Sequence, residues 1–124
     1  MKRATEAMDK LMVRKAVHSI FYMLEQDFQW YLRRISKDKD DPKRKGGITK
    51  VFHEVLDSQV RMLSPIAPHT CEEIWENMGG TGFVSLASWP IPEESKVDVE
   101  AEEVENLIQR VFEDTLNDHI LVGD

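Results

Sequence analysis

The chain has little cysteine: Cys71 stands alone among 124 residues, so no intrachain disulfide can form and nothing points to an oxidising compartment. It has no apolar run near the ~18 residues that a membrane span requires. Its charged first segment also lacks the apolar core of a signal peptide. The expectation is a cytoplasmic setting with no membrane partner. Glycine and proline are missing from Met1 to Asp41, which removes the usual helix breakers from the first third of the chain. Metal-ligand spacing is missing too. His18, His53, His69 and His119 are scattered, and His69 with Cys71 would need two further ligands from elsewhere. The expectation is no metal site and no catalytic residue. Glu72 and Glu73 are no acid–base pair, because adjacent helical residues point about 100° apart. Gly79-Gly80-Thr81-Gly82 follows a helix pattern, whereas a phosphate cradle lies between a strand and a helix.

What the chain does have is charge, unevenly placed. The net charge is −7. Residues 1–50 hold 13 Lys and Arg against 7 Asp and Glu, a net of +6, and residues 51–124 hold 3 against 16, a net of −13. A domain polarised in this way can lay its basic end on a phosphate backbone, although solvation of each helix face accounts for the same numbers.

The helical pattern is equally clear. Val13, Val17, Ile20, Leu24, Phe28, Tyr31 and Ile35 recur at spacings of three and four, which predicts one helix over about 4–36, roughly 50 Å long. Lys37–Gly47 reads as a loop, with eight charges, one proline and two glycines in eleven residues. A second helix is predicted over about 49–63, with Phe52, Val55, Leu56, Val60 and Leu63 inward. A last helix is predicted from Asp98 to about Asn117, with Val104, Leu107, Ile108, Val111, Phe112 and Thr115 inward. Met8, Met12, Met23, Met62 and Met78 read as core fillers. The expected fold class is all-α, a four-helix-type bundle in one domain over 1–124, with residues 83–89 as a short extended strap.

Between the second and last helices lies the stretch MLSPIAPHTCEEIWENMGGTGFVSLASWP, Met62 to Pro90. Pro65 and Pro68 stop the preceding helix, and Pro68 suits the first turn of a new one. Thr70 and Glu73 have capping-box spacing. Cys71, Ile74, Trp75 and Met78 make one apolar stripe, which reads Cys71 as buried and inert, and Gly79 and Gly80 end the helix. His69 is expected to donate to a nearby carbonyl at the corner. Trp75 and Trp89 are expected to anchor packing.

The ordered set of Pro68-His69, Glu72-Glu73-Ile74-Trp75, the Gly79/Gly80 break and Trp89-Pro90 resembles the helical anticodon-binding domain of the leucine-valine-isoleucine group of class I aminoacyl-tRNA synthetases. It is most similar to the leucine members. Gly82-Phe83-Val84-Ser85, Trp30-Tyr31-Leu32-Arg33-Arg34 and Val111-Phe112-Glu113-Asp114 resemble the archaeal and eukaryotic type. The resemblance covers about residues 4–121. It implies an internal piece of a larger ATP-dependent leucine–tRNA ligase, since the catalytic signatures His-Ile-Gly-His and Lys-Met-Ser-Lys-Ser are absent. ATP with magnesium would belong to the missing catalytic domain, and no cofactor to this piece. The implied partners are tRNA for leucine, held through its backbone, and other domains of the same enzyme. Candidate tRNA contacts are Arg33, Arg34, Lys37, Lys43, Arg44 and Lys45, with Lys39 in the same run. Trp30 either stacks on an unpaired base or packs against a helix. Arg14 and Lys15 are weaker candidates. A helical interaction or spacer module, or the equivalent valyl or isoleucyl domain, stays open as an alternative. An exposed apolar patch on the first or last helix would favour the spacer.

Overall fold

The structure, a computed structural model, describes residues 1–36 and 41–121, with side chains as far as Leu116. It is all-α among the described residues, as expected. The chain divides into two compact units, Met1–Pro92 and Glu93–Asp124.

In the first unit the predicted long helix is interrupted twice. Helix α1 (Lys2–Asp9) ends at a turn in which Leu11 adopts a φ of +54°. There the Leu11 N–H donates to Met8 O (2.9 Å) and the Met12 N–H to Ala7 O (2.7 Å). These two bonds close a Schellman turn with leucine where glycine is usual. The chain then reverses, because small residues reward it: Ala4, Ala7 and Ala16 let α1 approach α2 (Val13–Val17) closely, and all three are buried with Ile20 and Met62. Met12, expected in the core, is 43% exposed at the turn. The second interruption is a π-helical turn over His18–Met23, before α3 (Leu24–Ile35). Its wider winding leaves the Ile20 carbonyl able to accept from Gln59 Nε2 of the next long helix (3.2 Å).

That helix, α4 (Pro42–Leu63), starts seven residues before the predicted point. Asp41 caps it, its carboxylate accepting from the Lys43 N–H (2.9 Å), and Pro42 occupies the first turn, where its missing N–H has no cost. Composition marks 42–47 as loop, but the cap and proline outweigh Gly46 and Gly47. Val60 and Met62 are buried and Leu63 is half-buried. Phe52 and Leu56, expected inward, are about 40% exposed, with Phe52 set edge-on to Phe28 at 4.6 Å. None of the α3 stripe is fully buried.

Helix α5 (Pro68–Asn77) begins with Pro68 in its first turn and Ala67 as its cap. Thr70 therefore lies inside the helix, and the capping box with Glu73 does not form. Its other end closes with a second Schellman turn: the Gly80 N–H donates to Trp75 O and the Gly79 N–H to Glu76 O, both 2.9 Å, with Gly79 at φ +80°. Cys71, Trp75, Val60 and Val84 form a second buried cluster. The predicted strap is extended at Phe83 and Ala87 but contains a 3-10 turn over Val84–Leu86. Trp89 is half-buried, and its Nε1–H donates to Thr5 Oγ1 (2.9 Å), tying the strap to α1.

The second unit contains a 3-10 turn, Glu94–Lys96, and α6 (Val99–Leu121). Asp98 caps α6 by accepting from the Ala101 N–H (3.0 Å). Its predicted inner face is not buried: Val104, Leu107 and Val111 are each more than half exposed, and Phe112 nearly so.

Two substitutions test these turns. Leu11→Gly relieves the left-handed strain at an exposed position and is expected to raise stability by about 0.5–1 kcal/mol. Gly80→Ala places a methyl group against the Trp75 ring. Because that ring is buried, it is expected to cost about 1–3 kcal/mol. Urea denaturation of the two variants beside the parent chain checks both signs.

Candidate nucleic-acid interface

The corner around α5 is braced by side-chain contacts. Trp75 is packed beneath the Arg61 guanidinium, which lies 5.1 Å from the ring centroid. Arg61 is held in turn by Asp57 (3.0 Å) and by its donation to Ser88 O (3.4 Å). Glu72 joins helix to strap. Its two carboxylate oxygens accept from the Val84 N–H (2.9 Å), the Ser85 N–H (3.2 Å) and the Ser85 hydroxyl (3.0 Å). Desolvation pushes this carboxyl upward, but the two backbone N–H groups and the hydroxyl outweigh it and hold it below its ordinary 4.5. In the local sequence Glu72 and Glu73 are adjacent residues of one type, with capping-box spacing only at Glu73. The i, i+12 reach to Val84 distinguishes Glu72, and no local pattern shows it.

The other corner residues have plainer places. Pro65 is exposed in the turn after α4, and Glu73 is exposed mid-helix, where its carbonyl accepts from Asn77 Nδ2 (2.9 Å). His69 is exposed and makes no carbonyl bond among the described residues, so the expected donation is absent. Cys71 is 3% exposed. Burial first, then the neighbouring Glu72 carboxylate, raises its thiol above the usual value, as an inert core cysteine requires.

The candidate contact residues fall at the far end of α3 and α4. Arg33 and Arg34 close the last turn of α3, and Lys43, Arg44 and Lys45 open α4, all five exposed. Trp30 is half-buried one turn earlier. Lys37 and Lys39 lie outside the described residues. The first turn of α4 contains no acidic residue. Three cations therefore stand where the helix dipole is already positive, an arrangement that costs stability and concentrates positive potential.

No group of three or more His, Cys, Asp or Glu among the described residues could hold a metal ion. Gly79–Gly82 follows α5 and leads into no α-helix, so it cradles no phosphate. Among the described residues no helix is long and apolar enough to cross a membrane.

The first unit is all-helical among its described residues, with a braced aromatic corner and a basic end. Residues 1–117 match the family described as the anticodon-binding domain of tRNA ligase, and the chain belongs to that family. It is similar to the leucine–tRNA ligase of Pyrococcus horikoshii, 42% identical over 113 residues, covering 91% of this chain and 11% of that protein. The leucine–tRNA ligase of Aeropyrum pernix is 39% identical over 121 residues, covering 98% of this chain and 12% of that protein. That of Methanosarcina barkeri is 39% identical over 108 residues, covering 87% and 10%. The chain thus spans about a tenth of the length of these curated relatives. The resemblance to leucine enzymes expected from the corner motif is met, and so is the archaeal type expected from Gly82-Phe83-Val84-Ser85, Trp30-Tyr31-Leu32-Arg33-Arg34 and Val111-Phe112-Glu113-Asp114.

Glu72→Gln tests the staple through pH. A carboxyl lowered on folding stabilises the fold fully above its unfolded pKa, and that contribution is lost as pH falls through the folded value. The parent chain should melt higher than Glu72→Gln at pH 7, and the gap should close below about pH 4. A gap in melting temperature that persists unchanged at pH 3 would contradict the charged staple.

Proposed function

We propose that residues 1–124 act as one tRNA-binding helical domain of a leucyl-tRNA synthetase, holding tRNA for leucine while the rest of the enzyme carries out ligation. Leucine activation with ATP and magnesium belongs to that larger part, in a cytoplasmic enzyme. The observation that carries the reading is the placement of Lys43, Arg44 and Lys45 in the first turn of α4, a turn that contains no acidic residue. Arg33 and Arg34 add to this end, with Lys37 close behind them in sequence, and Trp30 offers a ring beside them. Such a surface grips phosphates and leaves base identity unread, so recognition is by backbone and shape.

A second reading has its own observation. The exposed stripe Val104, Leu107, Val111 and Phe112 on α6 suits a helical spacer docked on neighbouring domains.

Fluorescence anisotropy with leucine tRNA and a non-cognate tRNA, at several salt concentrations, separates the two. The parent chain should bind both, more weakly as salt rises. Changing Lys43, Arg44 and Lys45 to Ala should make the log–log salt slope shallower by about 0.7–0.9 for each phosphate no longer neutralised. Parent binding with an unaltered slope in the triple variant sinks the α4 site. Absence of any binding at the highest soluble concentration of the chain leaves the spacer reading.

A further inference from the structure

The reversal at Leu11 creates a second basic surface, apart from the proposed α4 site, which gathers Arg14 and Lys15, the weaker candidates of the sequence, with Arg3 and Lys10. Folding α1 back on α2 opens a groove of about 560 Å³ lined by Arg3, Lys10, Arg14, Lys15 and His18, with Glu6 as the one acidic residue among its lining. Arg3 Nη1 donates there to Met23 Sδ (3.9 Å). Lys10, Arg14 and Lys15 are exposed and have no ion-pair partner among the described residues, and Glu6 is outnumbered by cations along the groove. The π-helical turn continues the same edge with rings. His18 and Tyr22 lie 5.7 Å apart and Phe21 meets Tyr22 edge-on at 5.5 Å, with Phe21 46% and Tyr22 57% exposed. Cations converging on a groove beside exposed aromatic faces are what an unpaired stretch of nucleic acid requires: the cations meet its phosphates and the rings meet its bases.

We infer that this groove binds the phosphate backbone of a looped RNA segment, with an unpaired base stacked on Tyr22. The inference rests on the reading of the chain as an RNA-binding domain but uses different residues. Arg14 and Lys15 are nineteen residues from Arg33 and Arg34 along α2, the π turn and α3, or roughly 28 Å. One folded RNA can reach both surfaces, and each can be removed without the other.

The test uses the full chain with two RNAs, a hairpin with an unpaired loop and the same stem as a blunt duplex, titrated over a range of salt. Changing Lys10, Arg14 and Lys15 to Ala should weaken hairpin binding about tenfold or more near 0.1 M salt and flatten its salt slope. All three side chains are exposed, and an unchanged circular dichroism melt confirms that the variant folds. Tyr22→Ala should weaken the hairpin about fivefold or more and leave the duplex unchanged.

Wild-type affinity and slope in the groove variant overturn the inference, even where the α4 variant loses binding and the α4 site stands. Weakened binding in the groove variant alone supports the groove and removes the α4 site. Failure of the parent chain to bind either RNA overturns both. A Tyr22→Ala variant that binds the hairpin normally overturns the stacking half and leaves the exposed rings as a protein contact.

Discussion

The last turn of α4 is the constraint on which the first unit depends. Val60 and Met62 are two residues apart, hence about 200° apart around the helix, and each is buried in a different apolar cluster. Met62 closes the cluster made by α1 and α2 with Ile20, and Val60 closes the one made by α5 with Val84. Leu63, next to Met62, touches both. One helical turn thus serves two cores, each too small to be stable alone. The chain adds polar ties to the same turn: Gln59 reaches the Ile20 carbonyl, and Arg61 covers Trp75 while reaching the carbonyl of Ser88. A polar substitution at Val60 or Met62 would open one core and loosen the elements leaning on the other.

How much of this is legible in the sequence depends on the range of the physics involved. Features set by neighbours are visible there: the apolar stripe of α5, its glycine end, the proline at its start, and the acid-rich start of α6. Features set by distant contacts are not. The break at Leu11 has no glycine or proline to announce it. The only local clue is three alanines, Ala4, Ala7 and Ala16, where a continuous amphipathic helix would carry larger residues. Glu72 and Glu73 are chemically identical, and only the returning strap chooses between them. The start of α4 misleads for a different reason. Charge and glycine suggest a loop, while Asp41-Pro42, a cap followed by a first-turn proline, is the stronger signal and lies within the same stretch. The basic end itself is plain in the sequence, but the groove beside α1 is not, because it exists only once the chain reverses at Leu11.

The two outer faces of the unit share a logic. Long α4 is anchored at its C-terminal turn and carries its basic trio at the opposite end, roughly 30 Å away by helical rise. Repulsion there strains only a turn that Asp41 and Pro42 already hold. The groove beside α1 is similarly placed, since its cations stand on the rim of a core closed by alanines and Ile20, not within it. In both places charge that would be costly in a core is set where its cost is small and its field reaches solvent.

The contrast between α4 and α6 shows that this placement is not merely the helix-forming habit of the chain. Both helices exceed twenty residues and both are capped by aspartate. At the first turn of α6 the chain sets Glu100 and Glu102 against the positive end of the dipole, the arrangement that stabilises a helix. At the first turn of α4 it sets Lys43, Arg44 and Lys45, the arrangement that does the reverse. A sequence chosen for helix stability alone would treat the two ends alike. On the tRNA-binding reading proposed above the difference has a use: among the described residues the Asp41 cap alone supplies negative charge at the start of α4, and the three cations that follow it are left to meet a phosphate.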